Sequence, residues 1–363
     1  MMGLFRLRAR GFSLIEVMIS LLITLVVMAS VFMLLQRGQR SFNREPEVSD
    51  MNANARSGIH RIGQDLALAG YKTPITIPLM WFDGGGITPD EITIIYADPD
   101  IPVSRPKPCG GGGGGPGGGG GPCNTIGSSS TLNLDPYTFS PQPADFETAY
   151  TAGMTLFALQ GPNGNPACDG SVPGIIPFEV TQPPNCTGAG GANTGPAGCA
   201  TLNLNHNPGS GGTINVPGGF NNDVSVDCAV VGFFHVVQYR VNPLPPADNP
   251  SLERRDIALG DPWNPLALNI ENLQFQYGQG AANVFNDVPA LAPIGNDPNS
   301  WITQVRLTVA GRSESTNLEG ASAGVFAAED TFLRRSFTTT MSLRNQLNQA
   351  AQRAMDLGLL GWN

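Results

Sequence analysis

One carboxylate in this chain sits where a carboxylate is costly. Glu16 stands at the front edge of residues Val17 to Leu35, a run of about 19 residues without charge, proline or glycine, close to the ~20 that a helix needs to cross a bilayer core. Near the bilayer centre a carboxylate costs roughly 2.5–3.5 kcal/mol on insertion scales, so its presence points to a function. A cation brought to the same depth would offset that cost, and the chemistry is then ion pairing in lipid. Other candidates for chemistry are weaker. Gly320-Ala321-Ser322-Ala323-Gly324 matches G-x-S-x-G, but a nucleophile elbow needs an apolar strand before it and a helix after it. Ser313 to Glu319 reads as a polar loop, and the three histidines, His60, His206 and His235, all precede Ser322. Asp98-Pro99-Asp100 and Asn296-Asp297 could hold calcium, although turn chemistry explains them more simply. No H-E-x-x-H or EF-hand pattern occurs. The expectation is no enzyme, no cofactor and no metal, with His60 and His235 as packed or solvated side chains.

The residues around Glu16 carry a resemblance. Arg10-Gly11-Phe12-Ser13-Leu14-Ile15-Glu16, behind a short basic leader and ahead of the apolar run, resembles the class III signal of type IV pilins and pseudopilins. The resemblance implies cleavage between Gly11 and Phe12 by a membrane prepilin peptidase, N-methylation of Phe12, and recruitment of the next subunit through the pairing of Glu16 with that new α-amine. An ordinary signal peptide cut near Val27-Met28-Ala29 competes, but Val31 to Leu35 stays apolar past that point and Glu16 fits the head of such a segment poorly. An unprocessed anchor is the other alternative. Arg6, Arg8 and Arg10 precede the run, so the positive-inside rule keeps the N-terminus cytoplasmic.

The chain has 363 residues and a net charge of −9. Removing residues 1–11 leaves 17 basic against 29 acidic residues, or −12, which argues against nucleic acid as the main partner. Charged residues are only 13%, with 46 glycines and 31 prolines, a composition of short strands and long loops. Export would place Cys109, Cys123, Cys168, Cys186, Cys199 and Cys228 in an oxidising compartment, where an even count favours disulfides. Their spacing lacks a CxxC pair, so structural bridges are expected and a zinc site is not. Cys109 and Cys123 bracket the glycine string Gly110 to Gly121 and are expected to pair, closing a loop of about 15 residues worth about 3 kcal/mol in the chain-entropy model.

The elements that must position Glu16 follow from periodicity. Val48, Met51, Ala55, Ile59, Ile62, Leu66 and Ala69 recur at steps of three and four, one apolar stripe on an amphipathic helix. Gly38 and Pro46 predict a bend, and Gly70 a C-cap. A continuous helix from Phe12 to Ala69 would measure roughly 87 Å. Beyond Tyr71 the period becomes two. Strands are predicted at Glu91 to Ala97, Ile175 to Val180, Thr201 to Leu204, Val230 to Val241 as one central strand, Ile270 to Tyr277 with a slip near Asn272, Ile302 to Val309, and Phe332 to Leu343. A short helix is predicted over 345–360. The fold expected is α+β and pilin-like: a long N-terminal helix, its first half in the membrane, packed on an antiparallel sheet head with long Gly/Pro-rich, disulfide-stapled loops. The divisions are leader 1–11, membrane half 12–36, amphipathic half 37–70, and head 71–363 with loop insertions 98–150 and 160–222.

Arg61 to Tyr71 (RIGQDLALAGY), EITIIYAD, ENLQFQYG, VRLTV and RRSFTTTMSLRNQ, in that order, are similar to minor pilins of the PilW kind. This similarity covers about half the chain and leaves out the glycine- and cysteine-rich stretches. It implies a structural subunit of a pilus tip or priming complex serving motility, adhesion or DNA uptake. The implied partners are other minor and major pilins, the prepilin peptidase, the inner membrane and the assembly platform. A type II secretion pseudopilin and a pilus-borne adhesin are the alternatives.

Overall fold

The computed structural model describes residues 13–73, 79–85, 88–107, 131–160, 174–187, 198–206, 229–242, 250–279, 284–289, 302–316, 318 and 331–345, with backbone alone at 40, 41, 160 and 174. It opens on one helix, α1 (Leu14–Leu68), of 55 residues, about 80 Å at 1.5 Å per residue. Helical structure runs through both Gly38 and Pro46, so neither ends the element. The helix stops at Gly70, whose φ of 74° is left-handed, the conformation that glycine adopts without a Cβ penalty. Gly70 N donates to Ile95 O at 3.0 Å, which ties the helix end to the next strand but one.

The strands are β1 (Leu79–Phe82), β2 (Glu91–Ala97), β3 (Thr131–Leu134), β4 (Thr155–Gln160), β5 (Gly174–Glu179), β6 (Asn185–Thr187), β7 (Thr201–Asn205), β8 (Ala229–Gly232), β9 (Phe234–Asn242), β10 (Ser251–Asp256), β11 (Asn264–Leu268), β12 (Ile270–Gln279), β13 (Phe285–Asn286), β14 (Ile302–Thr316) and β15 (Phe332–Ser342). They form four sheets: β1-β2-β9-β10-β11, β13-β12-β14-β15, β3-β7-β6 and β5-β4-β8. The pairs β1–β2, β2–β9, β9–β10, β10–β11, β12–β13, β12–β14, β3–β7, β6–β7, β4–β5 and β4–β8 are all antiparallel.

The chain divides into two compact units, one holding the helix as far as Ala53 with Arg312–Arg335, the other Asn54–Gly311 with Ser336–Asn363. In the first, Glu47 clasps the end of β14: its Oε2 accepts from Glu314 N at 2.8 Å and its Oε1 from Ser315 Oγ at 2.6 Å. In the second, the stripe residues Ala55, Ile62, Leu66 and Ala69 share a core with Ile92, Ile94, Val237, Tyr239, Leu252, Leu273, Phe275, Val305 and Leu307. Another core lies on the other face of β2 and β9, where Ile95, Ala97, Phe234 and Val236 meet Phe157, Leu159 and Val230. β2 is thus covered on both sides, and its continuous apolar sequence is that of a two-faced buried strand.

Three expectations change. Val230 to Val241 is not one strand: it breaks at Phe233 into β8 and β9, which belong to different sheets. Beside the break the backbone is closely approached: a Cβ at Gly232 would lie 2.6 Å from Val103 Cγ1. Residues 313–316 are not loop: β14 continues to Thr316, with Ser313 buried. The described parts of 98–150 and 160–222 are not loops throughout. β5 and β7 fall on the strands predicted at 175–180 and 201–204, β3 and β6 are additional, and with β4 and β8 these enclose a further core of Leu132, Leu134, Phe139, Phe146, Tyr150, Leu156, Phe178, Leu202 and Leu204. The slip near Asn272 is a bulge between Ile270 and Asn272 in the β12–β14 pairing. The helix expected over 345–360 lies almost wholly outside the described residues.

Candidate assembly site at the start of the helix

Ser13 and Glu16 form a reciprocal cap on α1. Ser13 N donates to Glu16 Oε2 at 3.2 Å, and Glu16 N donates to Ser13 Oγ at 3.4 Å. This is the S-x-x-E capping box, which satisfies two of the backbone donors that a helix start leaves unpaired. The pattern is legible in Ser13-Leu14-Ile15-Glu16. The carboxylate is thereby held at the positive end of the helix dipole, which favours an anion. Gly11 and Phe12 lie outside the described residues.

Behind the cap, the apolar side chains from Leu14 to Leu35 are exposed, and the most apolar stretch of the helix has no buried part. The few hydroxyls there bond back to the helix: Ser20 Oγ to Val17 O at 2.9 Å, Thr24 Oγ1 to Ser20 O at 2.7 Å and Ser30 Oγ to Val26 O at 2.9 Å. In hydrocarbon such internal satisfaction removes the penalty of an unpaired polar group. The helix therefore presents a face suited to lipid or to other apolar helices.

The other singled-out residues are placed as follows. His235 bridges two carboxylates, with Nδ1 2.6 Å from Asp256 Oδ2 and Nε2 3.1 Å from Asp98 Oδ2. Burial alone would lower its pKa, but the hydrogen bonds and charges of Asp256 and Asp98 outweigh burial and raise it. Asp256 is opposed by its own burial, yet His235 and the N–H groups of Val236 and Ala258 bring its pKa down. Asp98 also caps a turn, accepting from Asp100 N at 2.8 Å. His60 is exposed and lies 3.1 Å from Gln64 Nε2, and His206 is buried against the Phe178 ring with its pKa lowered by burial. Among the described residues no cluster of three His, Cys, Asp or Glu side chains has a metal-holding arrangement. Cys186 and Cys199 form a disulfide. Cys109, Cys123, Cys168, Cys228, Ser322, Asn296 and Asp297 lie outside the described residues.

Sequence reasoning missed Asp65. It is 3% exposed and anchors the helix to the five-stranded sheet, accepting from Tyr96 OH at 3.1 Å, Tyr239 OH at 2.5 Å and Arg254 Nε at 3.0 Å. An Asp on the edge of an apolar stripe was the available signal. It positions structure and has no exposure to a ligand.

Residues 6–32 match the family model described as the prokaryotic N-terminal methylation motif. No curated protein and no solved structure matches the chain significantly. The motif indicates a type IV pilin- or pseudopilin-like protein, and it implies processing by a prepilin peptidase and assembly with other pilins. With the single long apolar helix, it fits anchoring in the inner membrane followed by transfer to a pilus.

Proposed function

We propose that this protein is a type IV pilus minor pilin of the PilW kind, a non-enzymatic subunit of the complex that primes or tips the filament. The observation that carries the reading is a methylation motif placed directly on an exposed apolar helix whose capping carboxylate is Glu16. In the mechanism the helix stores the subunit in the bilayer with its N-terminus cytoplasmic. The peptidase cuts after Gly11 and Phe12 is N-methylated. Glu16 then receives the Phe12 amine of a neighbouring copy, an opposite charge at short range in a medium of low dielectric. The apolar helices pack side by side as the filament core.

Two measurements test this. Mass analysis of the membrane-extracted chain should find a mature start at N-methyl-Phe12; a start near residue 30 or an intact leader would end the reading. Glu16→Ala subunits should be processed and inserted yet left out of filaments, and equal incorporation would remove the pairing mechanism. A type II secretion pseudopilin shares the signal, and restoration of protein secretion rather than pili in a strain lacking the chain would select it.

A second reading, a pilus-borne adhesin, is favoured by the separate core that the 131–206 strands build away from the helix-packed one. Excising 160–222 would remove Phe178, Leu202 and Leu204 from that core, so such a deletion cannot discriminate. Deleting the whole chain can: loss of pili supports priming, while intact but non-adherent pili support the adhesin.

A further inference from the structure

We propose that the bare neck of α1, between its apolar run and the clasp at Glu47, is a docking surface for anionic phospholipid headgroups of the leaflet on the head's side. This rests on the membrane reading above. The neck spans positions 36–46. Its described side chains are exposed except Arg44, which is half-buried. Glu47 engages the β14 end.

Three arginines fall in this neck, Arg37, Arg40 and Arg44. The helix is unbroken here, so at 100° per residue positions 37, 40 and 44 lie within roughly 60° of one another on a single face. No acid occurs between Glu16 and Glu45, and the neck, with three arginines against the single carboxylate of Glu45, is a net cationic band in a chain of net charge −9. Among the described residues no ion pair involves Arg37 or Arg44.

The geometry matches a headgroup layer. Headgroups extend the bilayer from about 30 to about 40–45 Å, some 5–8 Å per side. Position 37 stands about 3 Å and position 40 about 7.5 Å beyond Leu35. Arg44 is farther out, at about 13 Å, within the reach of a long side chain that bends back toward the surface. Phe42, 81% exposed, adds an apolar side chain at the same level. While the leader is attached, Arg6, Arg8 and Arg10 supply a comparable charge on the opposite flank; its removal leaves the neck as the dominant lipid-facing charge. Headgroup contact then fixes the height of the waiting subunit.

The test uses the full-length chain in nanodiscs of neutral phosphatidylcholine mixed with phosphatidylglycerol, with the retained lipid identified by mass spectrometry after gentle extraction. The parent should retain phosphatidylglycerol preferentially. Replacing Arg37, Arg40 and Arg44 by Gln should lower that enrichment roughly fivefold per arginine, since each basic residue near an anionic surface contributes about that factor. Replacement by Lys should keep most of it, and added inorganic phosphate should not displace the lipid. Equal retention by parent and Gln variant overturns the proposal, as does displacement by free phosphate. Alkaline carbonate extraction separates the two failures: a chain washed from membranes sinks the membrane reading itself, whereas an integral chain without lipid preference sinks the neck alone.

Discussion

Asp65 and His235 show how much single ionisable groups do in this head. Asp65 meets two phenols and a guanidinium inside the protein, and removing one partner of such a buried set leaves the others desolvated and unpaired. Asp65→Ala should therefore destabilise the head by about 3–5 kcal/mol, measurable by urea titration of the detergent-solubilised chain; a loss below about 1 kcal/mol would mean that water replaces the carboxylate. His235 sets a pH dependence. Its folded pKa is raised, so the stability it contributes is complete below the ordinary histidine value of about 6.5 and is lost as pH rises through the folded value. Asp256, with a lowered pKa, contributes above its ordinary value and loses that contribution as pH falls through the folded one. The charges facing His235 are those of Asp98 and Asp256, and Tyr96 and Phe233 flank its ring. Thermal melts should show stability falling as pH rises from about 6.5 through the folded value, and His235→Gln should flatten that slope.

At the scale of elements, α1 approaches the sheet closely at Gly58. A Cβ there would sit 2.7 Å from Leu252 Cδ2. Gly58→Ala gains helix propensity of about 1 kcal/mol but overpacks a buried contact at a cost of roughly 1–3 kcal/mol. The expected net effect is destabilisation, and it should shrink in a Leu252→Ala background, where the two changes are non-additive. Additive melting shifts would place the strain elsewhere. β10 illustrates a second kind of element. Its sequence, Ser-Leu-Glu-Arg-Arg-Asp, has one apolar residue and no strand periodicity. It is nonetheless a central strand of the sheet, because Glu253 pairs with Arg240, Arg254 with Asp65 and Asp256 with His235. Its charges are satisfied one by one by neighbours 11 to 189 residues away in the chain, and a local sequence pattern cannot register such partners.

At the scale of the molecule, the sheets and separate cores of Asn54–Gly311 replace the single loop-decorated head expected from periodicity. The core around Phe146, Tyr150 and Phe178 is built on strands of three to six residues, of which β5 and β7 are legible in the sequence while their pairing partners are not. Cys186–Cys199 staples it, with a Cα–Cα distance of 5.2 Å and a sequence separation of 13. Closing a loop of that size contributes about 3 kcal/mol in the chain-entropy model. A double Cys186→Ser, Cys199→Ser variant should lose about that much, seen as a lower denaturant midpoint in the second core's unfolding, and an unchanged midpoint would show that packing alone holds β6 against β7.

The sequence by itself determined the membrane-length apolar run, the methylation signal, the packing stripe from Met51 to Ala69 and the strands at 91–97, 270–277 and 332–343, since each is written in residues adjacent along the chain at a helical or strand period. Only the tertiary structure decided that residues 230–241 divide between two sheets, that β10 is a strand, and that Asp65 and His235 find their partners. Those outcomes depend on a missing Cβ facing Val103 and on charges neutralised by distant residues. Such terms acquire their energy only when the chain has brought the two sides together.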